Sequence, residues 1–90
     1  TEADVKDAYI TQGCVVQGEV KHSVLFTGVK VGVGAKVIDS VLMPGAIVED
    51  GAVVQRALVA GGIRIGKGAV VGDSGSENIA LIAKRVKGAE

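Results

Sequence analysis

The chain has ninety residues, ten basic and ten acidic side chains with a formal net charge of +0, and only Tyr9 and Phe26 as aromatics, which leaves room for one small domain. The charge balance excludes an electrostatic footprint for nucleic acid or an anionic membrane, and no apolar run approaches the ~20 residues that span a bilayer. A globular core of this size leans on aromatics, whereas fourteen glycines, one proline and 48% hydrophobic residues drawn mainly from Val, Ile, Leu and Ala suit a thin prism with many tight corners.

In chain order, residues 1–8 (TEADVKDA) are polar and unpatterned and read as a linker or the end of an upstream element. The sequence starts at Thr1 without methionine and reads as a fragment. Residues 9–22 form an irregular first coil, with Ile10 and Val16 as anchors and Cys14 and Val20 as inward companions. Nine residues separate Val16 from Leu25, so residues 18–22 (GEVKH) predict a longer corner. Residues 23–73 then hold three ungapped repeats of 17 residues: SVLFTGVKVGVGAKVID, SVLMPGAIVEDGAVVQR and ALVAGGIRIGKGAVVGD. A repeat this short cannot bury its own apolar face and must stack on its copies. Ser74-Gly-Ser-Glu-Asn78 is a turn-forming loop. Residues 79–83 are a final strand, with Ala80 and Ile82 kept in the repeat frame. Lys84-Arg85-Val86-Lys87 leaves the pattern and ends the prism in basic residues.

Within the repeats, aliphatic residues recur six, six and then five positions apart: Leu25, Val31, Val37; Leu42, Val48, Val54; Val59, Ile65, Val71. Helical spacing of three and four is absent, and so are long period-2 runs. Short strands joined by tight corners, three to a coil, satisfy the pattern. Val31, Val48 and Ile65 should stack at the ~4.8 Å strand spacing. A second inward set follows four positions later: Val29, Ala46, Ile63; Ala35, Ala52, Ala69; Val41 and Leu58. Gly28, Gly45 and Gly62 share one corner, and Gly34, Gly51 and Gly68 another, where positive φ favours glycine. The run Gly32-Val33-Gly34 is no phosphate cradle, because no GxxxxGK[ST] is present and no helical pattern follows.

The unit seen in Val31-Gly-Val-Gly-Ala-Lys and Ile65-Gly-Lys-Gly-Ala-Val resembles the hexapeptide repeat of single-stranded left-handed parallel β-helices. The left hand is implied by that resemblance, since the general crossover rule favours the right. More specifically, the runs beginning at Gly13-Cys-Val-Val-Gln-Gly, Gly28-Val-Lys-Val-Gly-Val-Gly-Ala, Asp39-Ser-Val-Leu-Met and Glu77-Asn-Ile-Ala-Leu-Ile-Ala-Lys resemble the C-terminal domain of bacterial glucose-1-phosphate adenylyltransferases (ADP-glucose pyrophosphorylases). The resemblance covers residues 9–84, taken as the β-helix domain, with residues 85–90 as a basic tail. Members of that family make ADP-glucose and pyrophosphate from ATP and glucose 1-phosphate with Mg²⁺, in glycogen synthesis. Regulatory-type paralogues also occur. The resemblance places catalysis, ATP and Mg²⁺ in an N-terminal domain and implies no cofactor or catalytic residue in these ninety residues. It implies a cytoplasmic protein whose β-helix serves allosteric control by an anionic effector and assembly with like or related subunits. Lys84, Arg85 and Lys87 match the basic effector residues of the family.

Other residues carry weaker chemistry. His22 is the only histidine, and an acyltransferase using acyl-CoA would need such a base; its place before Ser23-Val-Leu reads as a polar corner. A three-His zinc site cannot be assembled from one histidine. Cys14, the only cysteine, excludes an internal disulfide and reads as a small buried thiol. Glu49-Asp50 reads as a solvated corner, with Asp50 stacked beside Lys67 for an exposed ion pair. Phe26 and Met43 share an outward frame position and form a candidate interface patch.

Overall fold

The computed structural model describes residues 4–73, 75 and 77–88. The start of the expected linker (residues 1–3), Ser74 and Ser76 of the turn loop, and the last two residues of the tail lie outside the described residues. Among the described residues every element is a strand, and every third strand pairs in parallel with the one before it. One sheet holds β1 (Asp4–Lys6), β4 (Glu19–Lys21), β7 (Lys36–Ile38), β10 (Val53–Gln55) and β13 (Val70–Gly72). A second holds β2 (Tyr9–Ile10), β5 (Val24–Leu25), β8 (Val41–Leu42), β11 (Ala57–Val59) and β14 (Ala80–Ile82). The third holds β3 (Val15–Val16), β6 (Lys30–Val31), β9 (Ile47–Val48) and β12 (Arg64–Ile65). This is the three-sided parallel β-helix of the hexapeptide type. No helix among the described residues is long and apolar enough to cross a membrane.

The core consists of three aliphatic columns set by register. Val20, Val37, Val54 and Val71 stack on one side; Leu25, Leu42 and Val59 on the next; Val31, Val48 and Ile65 on the third. All nine repeat anchors are buried, with Val71, at 7% exposure, the most open. Each fully buried Val or Leu contributes about 1.5–3 kcal/mol relative to exposure, and the small Val29, Ala35, Ala46 and Ala52 fill the narrow corners at 0% exposure. Val5 and Ile10 continue two columns into the first coil, where no further coil covers them, and they remain 43% and 36% exposed.

Four expectations change. The lead is not unpatterned throughout: residues 4–6 pair with Glu19–Lys21 as the first strand of the solenoid. Residues 18–22 are not a long corner, because Val20 is itself a column residue, paired with Val37. The first coil is therefore shorter than the others, and the shortening falls between Val16 and Val20. Gly18 permits it: a Cβ there would collide with the carbonyl oxygen of Ala35 and lie 2.7 Å from that of Gly32. Val41 and Leu58 do not point inward. The step from the first sheet to the second is one residue shorter, so the inward corner position falls one residue earlier, on Ser23, Ser40 and Ala57, all at most 3% exposed. Finally, Ala80 and Ile82 do not follow the 17-residue frame, since they pair with Ala57 and Val59. The segment 74–79 has the length of one extra side and moves the last strand onto the second sheet.

The corners differ in chemistry. The two glycine corners run at φ between 69° and 80°. At the third corner the left-handed residues of the earlier coils are Asp7, His22, Asp39 and Arg56, with φ of 52°, 50°, 50° and 45°, and glycine enters only in the last coil, at Gly72 with φ of 79°. Serine compensates. The Ser23 hydroxyl donates to the Lys21 carbonyl at 2.8 Å and accepts from the Ser40 N–H at 3.1 Å. The Ser40 hydroxyl donates to the Ile38 carbonyl at 2.8 Å and accepts from the Ala57 N–H at 3.1 Å. Each buried hydroxyl thus closes its own turn and holds the next coil.

Candidate functional site

The regular stack ends where the chain returns to its third side. The N–H of Val86 donates to the Arg64 carbonyl at 3.0 Å, and the N–H of Gly66 donates to the Val86 carbonyl at 2.8 Å. Val86 thereby forms a parallel bridge with Ile65 and packs half-buried on the core. So the run 84–87 does not leave the pattern altogether, as expected from sequence; Val86 extends the third column. Two glycines allow this close approach. A Cβ on Gly66 would collide with the Gly88 nitrogen, and one on Gly88 would lie 2.7 Å from the Lys67 carbonyl oxygen.

Around this bridge lies a cleft of about 370 Å³. Arg64 and Lys67 come from the last regular coil, Arg85 and Lys87 from the returning tail, and Glu49 lines one side. Arg64 Nη1 donates to Glu49 Oε2 at 3.0 Å. This largely exposed pair adds little stability, but it fixes Arg64 and leaves the other cations without a carboxylate in the cleft lining. Four cations on two backbone segments, with backbone glycine at the floor, suit an anion larger than one carboxylate, because phosphate groups are held by converging Arg and Lys donors.

Of the expected effector residues, Arg85 and Lys87 line this cleft, while Lys84 lines an adjoining depression with Leu81, Ile82 and Ala83 that shares Arg85 and Val86 with the cleft. The sequence places Lys67 only in an exposed pair with Asp50 and gives Arg64 no role, because only the returning tail turns these two cations into part of a site. Phe26 and Met43 are half-buried on the outer face of the second sheet. His22 is exposed at the third corner, its Nε2 3.7 Å from Asp7 Oδ2. Asp50 accepts from the Val33 N–H at 2.9 Å, so the acidic residue that pairs with a cation at this ridge is Glu49. The Cys14 thiol is half-buried and donates to the Phe26 carbonyl at 3.1 Å. Among the described residues no three His, Cys, Asp or Glu side chains gather into a set that could hold a metal ion.

Over residues 1–87 the chain matches the family described as GlmU-like, C-terminal hexapeptide. It is 44% identical over 85 residues to a glucose-1-phosphate adenylyltransferase of Bacillus cytotoxicus, covering 93% of this chain and 23% of that protein. The proteins of the same name from Bacillus thuringiensis (strain Al Hakam) and Bacillus anthracis are 43% identical over 84 residues, covering 92% of this chain and 22% of theirs. The chain thus spans less than a quarter of the length of these curated relatives, and it resembles their C-terminal part.

Proposed function

The chain belongs to the GlmU-like C-terminal hexapeptide family, and from that premise we propose that it is the regulatory and assembly unit of a glucose-1-phosphate adenylyltransferase. In this reading ATP, Mg²⁺ and glucose 1-phosphate are bound outside these ninety residues. The solenoid contributes the basic cleft, which takes a phosphate-bearing anionic effector. The observation that supports it is the convergence of Arg64, Lys67, Arg85 and Lys87 from two segments joined by a single bridge. An anion bound there ties the tail to the last coil. It can therefore bias any neighbour that contacts the tail, provided the anion binds one tail position better than the other. Assembly with a like or related subunit would use the outward patch at Phe26 and Met43, half-buried on the outer face of the second sheet.

The experiment is a calorimetric titration of the ninety-residue chain with inorganic phosphate and with pyrophosphate, beside Arg85→Gln/Lys87→Gln. Saturable binding that weakens at least tenfold in the variant and falls with added salt is expected. Binding unchanged in the variant would exclude this cleft as the effector site. In the full-length enzyme the same substitutions should abolish the rate response to the anion while the basal rate persists.

A competing reading, acyl transfer, places the base at His22, whose Nε2 lies near the Asp7 carboxylate. The same corner holds Asp39 and Arg56 in the next coils with the same left-handed backbone, so the position repeats as a polar corner. Saturable binding of acyl-CoA, with activity lost in His22→Ala, would favour acyl transfer.

A further inference from the structure

The outward columns of the sheets differ. That of the second sheet, from Tyr9 through Val24, Val41 and Leu58 to Leu81, is apolar throughout. That of the third alternates from coil to coil, with Val15, Lys30, Ile47 and Arg64. Two residues further along each coil stand Gln17, Gly32, Glu49 and Gly66. The N–H groups of Gln17, Gly32 and Glu49 donate to the Val31, Val48 and Ile65 carbonyls at 2.9, 2.8 and 2.9 Å, so these residues stack as a column of their own. Gly32 brings no side chain to it and leaves a gap between Gln17 and Glu49, an open cavity of about 220 Å³. Val15, Lys30 and Ile47 line one side, and Asp50 and Lys67 line the corner side. The position has no room for a larger residue: a Cβ on Gly32 would collide with Asp50 Oδ1 and lie 2.7 Å from the Asp50 nitrogen.

The rim of this cavity carries both signs of charge, and much of it is unused. Among the described residues neither Lys30 nor Lys67 forms an ion pair. Asp50 spends Oδ1 on the Val33 N–H and Glu49 spends Oε2 on Arg64, so each carboxylate keeps its other oxygen for a ligand. Between the charges the lining is aliphatic, from Val15, Val31, Ile47 and Val48. A plain anion would face the two carboxylates, and a plain cation would face the two lysines. A zwitterion with an apolar body meets both signs and covers the aliphatic floor. Size narrows the class further. The cavity is below the ~300–1,000 Å³ of sites for drug-sized ligands and holds about seven water volumes at ~30 Å³ each. That is room for one amino acid, not for a nucleotide or a sugar phosphate. We propose that the gap over Gly32 binds a free amino acid with a branched aliphatic side chain. Lys30 and Lys67 take its carboxylate, Asp50 and Glu49 its ammonium group, and Val15 and Ile47 its side chain. Exposed ion pairs each add little, so the affinity is millimolar. The site shares Glu49 and Lys67 with the basic cleft, but it goes beyond the regulatory reading and does not depend on an anion binding there.

The test is a saturation-transfer difference NMR titration of the full-length polypeptide with L-leucine, isocaproate and isoamylamine. Isocaproate keeps the carboxylate without the ammonium group, and isoamylamine keeps the amine without the carboxylate. Lys30→Gln removes a carboxylate partner. Asp50→Asn removes an ammonium partner, and its amide oxygen can still accept from the Val33 N–H. Lys36→Gln, on the β1 sheet, is the control. Leucine should saturate at millimolar concentration, and both single-charge analogues should bind at least threefold more weakly. Lys30→Gln and Asp50→Asn should each weaken leucine at least threefold, and Lys36→Gln should match wild type. No saturable leucine signal, or one that neither Lys30→Gln nor Asp50→Asn moves, would overturn the proposal. So would isocaproate binding as tightly as leucine, which would make the gap an anion site. Thermal melts of each variant accompany the titration; should Asp50→Asn unfold, Lys30→Gln decides, and wild-type binding in it overturns the proposal. The readout is independent of catalysis. A polypeptide that makes no ADP-glucose but shows this binding pattern overturns the functional reading and keeps the amino-acid site.

Discussion

Replacing Ser40 by alanine tests whether the serine corner is part of what stacks the coils. Ser40 is 3% exposed, and its hydroxyl is the acceptor for the Ala57 N–H at 3.1 Å. Ala57 is itself 1% exposed, so water cannot reach the abandoned donor. The other partner is spared. The Ile38 carbonyl, which loses the hydroxyl, still accepts from the Arg56 N–H at 3.0 Å. The Ser40 N–H keeps its bond to the Ser23 hydroxyl. One orphaned buried donor costs about 1–3 kcal/mol. For a domain of this size each kcal/mol lowers Tm by about 4–8 °C. Urea and thermal melts followed by circular dichroism should therefore show Ser40→Ala less stable by about 1–3 kcal/mol, with an unchanged m value. Ser23→Ala, which orphans the Ser40 N–H, should match it. A loss under about 0.5 kcal/mol in both would refute the ladder, because the residual bonds would then be shown to satisfy the corner alone.

Val48→Asp puts an unpaired charge among residues at most 1% exposed, with an effective penalty of several kcal/mol; loss of the cooperative urea transition is expected, and a folded variant would place Val48 outside the core. Gly66→Ala should lift the returning tail, since its Cβ would collide with the Gly88 nitrogen; amide exchange at Gly66 and Val86 should accelerate and phosphate binding should weaken, while the Val31–Val48 rung stays protected. His22→Gly relieves a left-handed backbone worth about 1–2 kcal/mol to an L residue and adds about 0.5–1 kcal/mol of unfolded-state entropy. Equal or slightly higher stability by urea melt is expected, and a clear loss would mean that the His22–Asp7 contact holds the first coil.

The sequence showed the prism plainly where the repeat is strict. Nine aliphatic anchors in a six-six-five rhythm leave one way to fill a thin triangular core, and all nine are buried. The breaks in the rhythm were harder to read. Val20 stands 17 residues before Val37, so its place in the column was visible, but the short step from Val16 hid it. The inward turn of Ser23 and Ser40 was masked by polarity. A hydroxyl looks like a surface residue until its bonds to the Lys21 and Ile38 carbonyls are known. The outer column from Tyr9 to Leu81 was missed because two-residue strands are too short to show alternation along the chain. It appears only down the stack, once register aligns residues from five coils.

The cleft follows from the same limit. A stacked repeat fixes its inner columns and two glycine corners, and those positions are nearly identical from coil to coil. The outward positions do vary, as Val15, Lys30, Ile47 and Arg64 do down the third sheet, but each coil adds only one such residue to a column. A cluster drawn from two backbone segments arises where the copying stops. Here that is the insertion 74–79, which shifts β14 onto the second sheet and brings the tail back across the third. The backbone can close there only because Gly66 and Gly88 leave room for each other. Arg64, an outward strand residue, and Lys67, a corner residue, are ordinary in their own coil, yet beside Arg85 and Lys87 they become one wall of a cleft. The fold is thus carried by what the coils share, and the candidate site by the place where the tail departs from them.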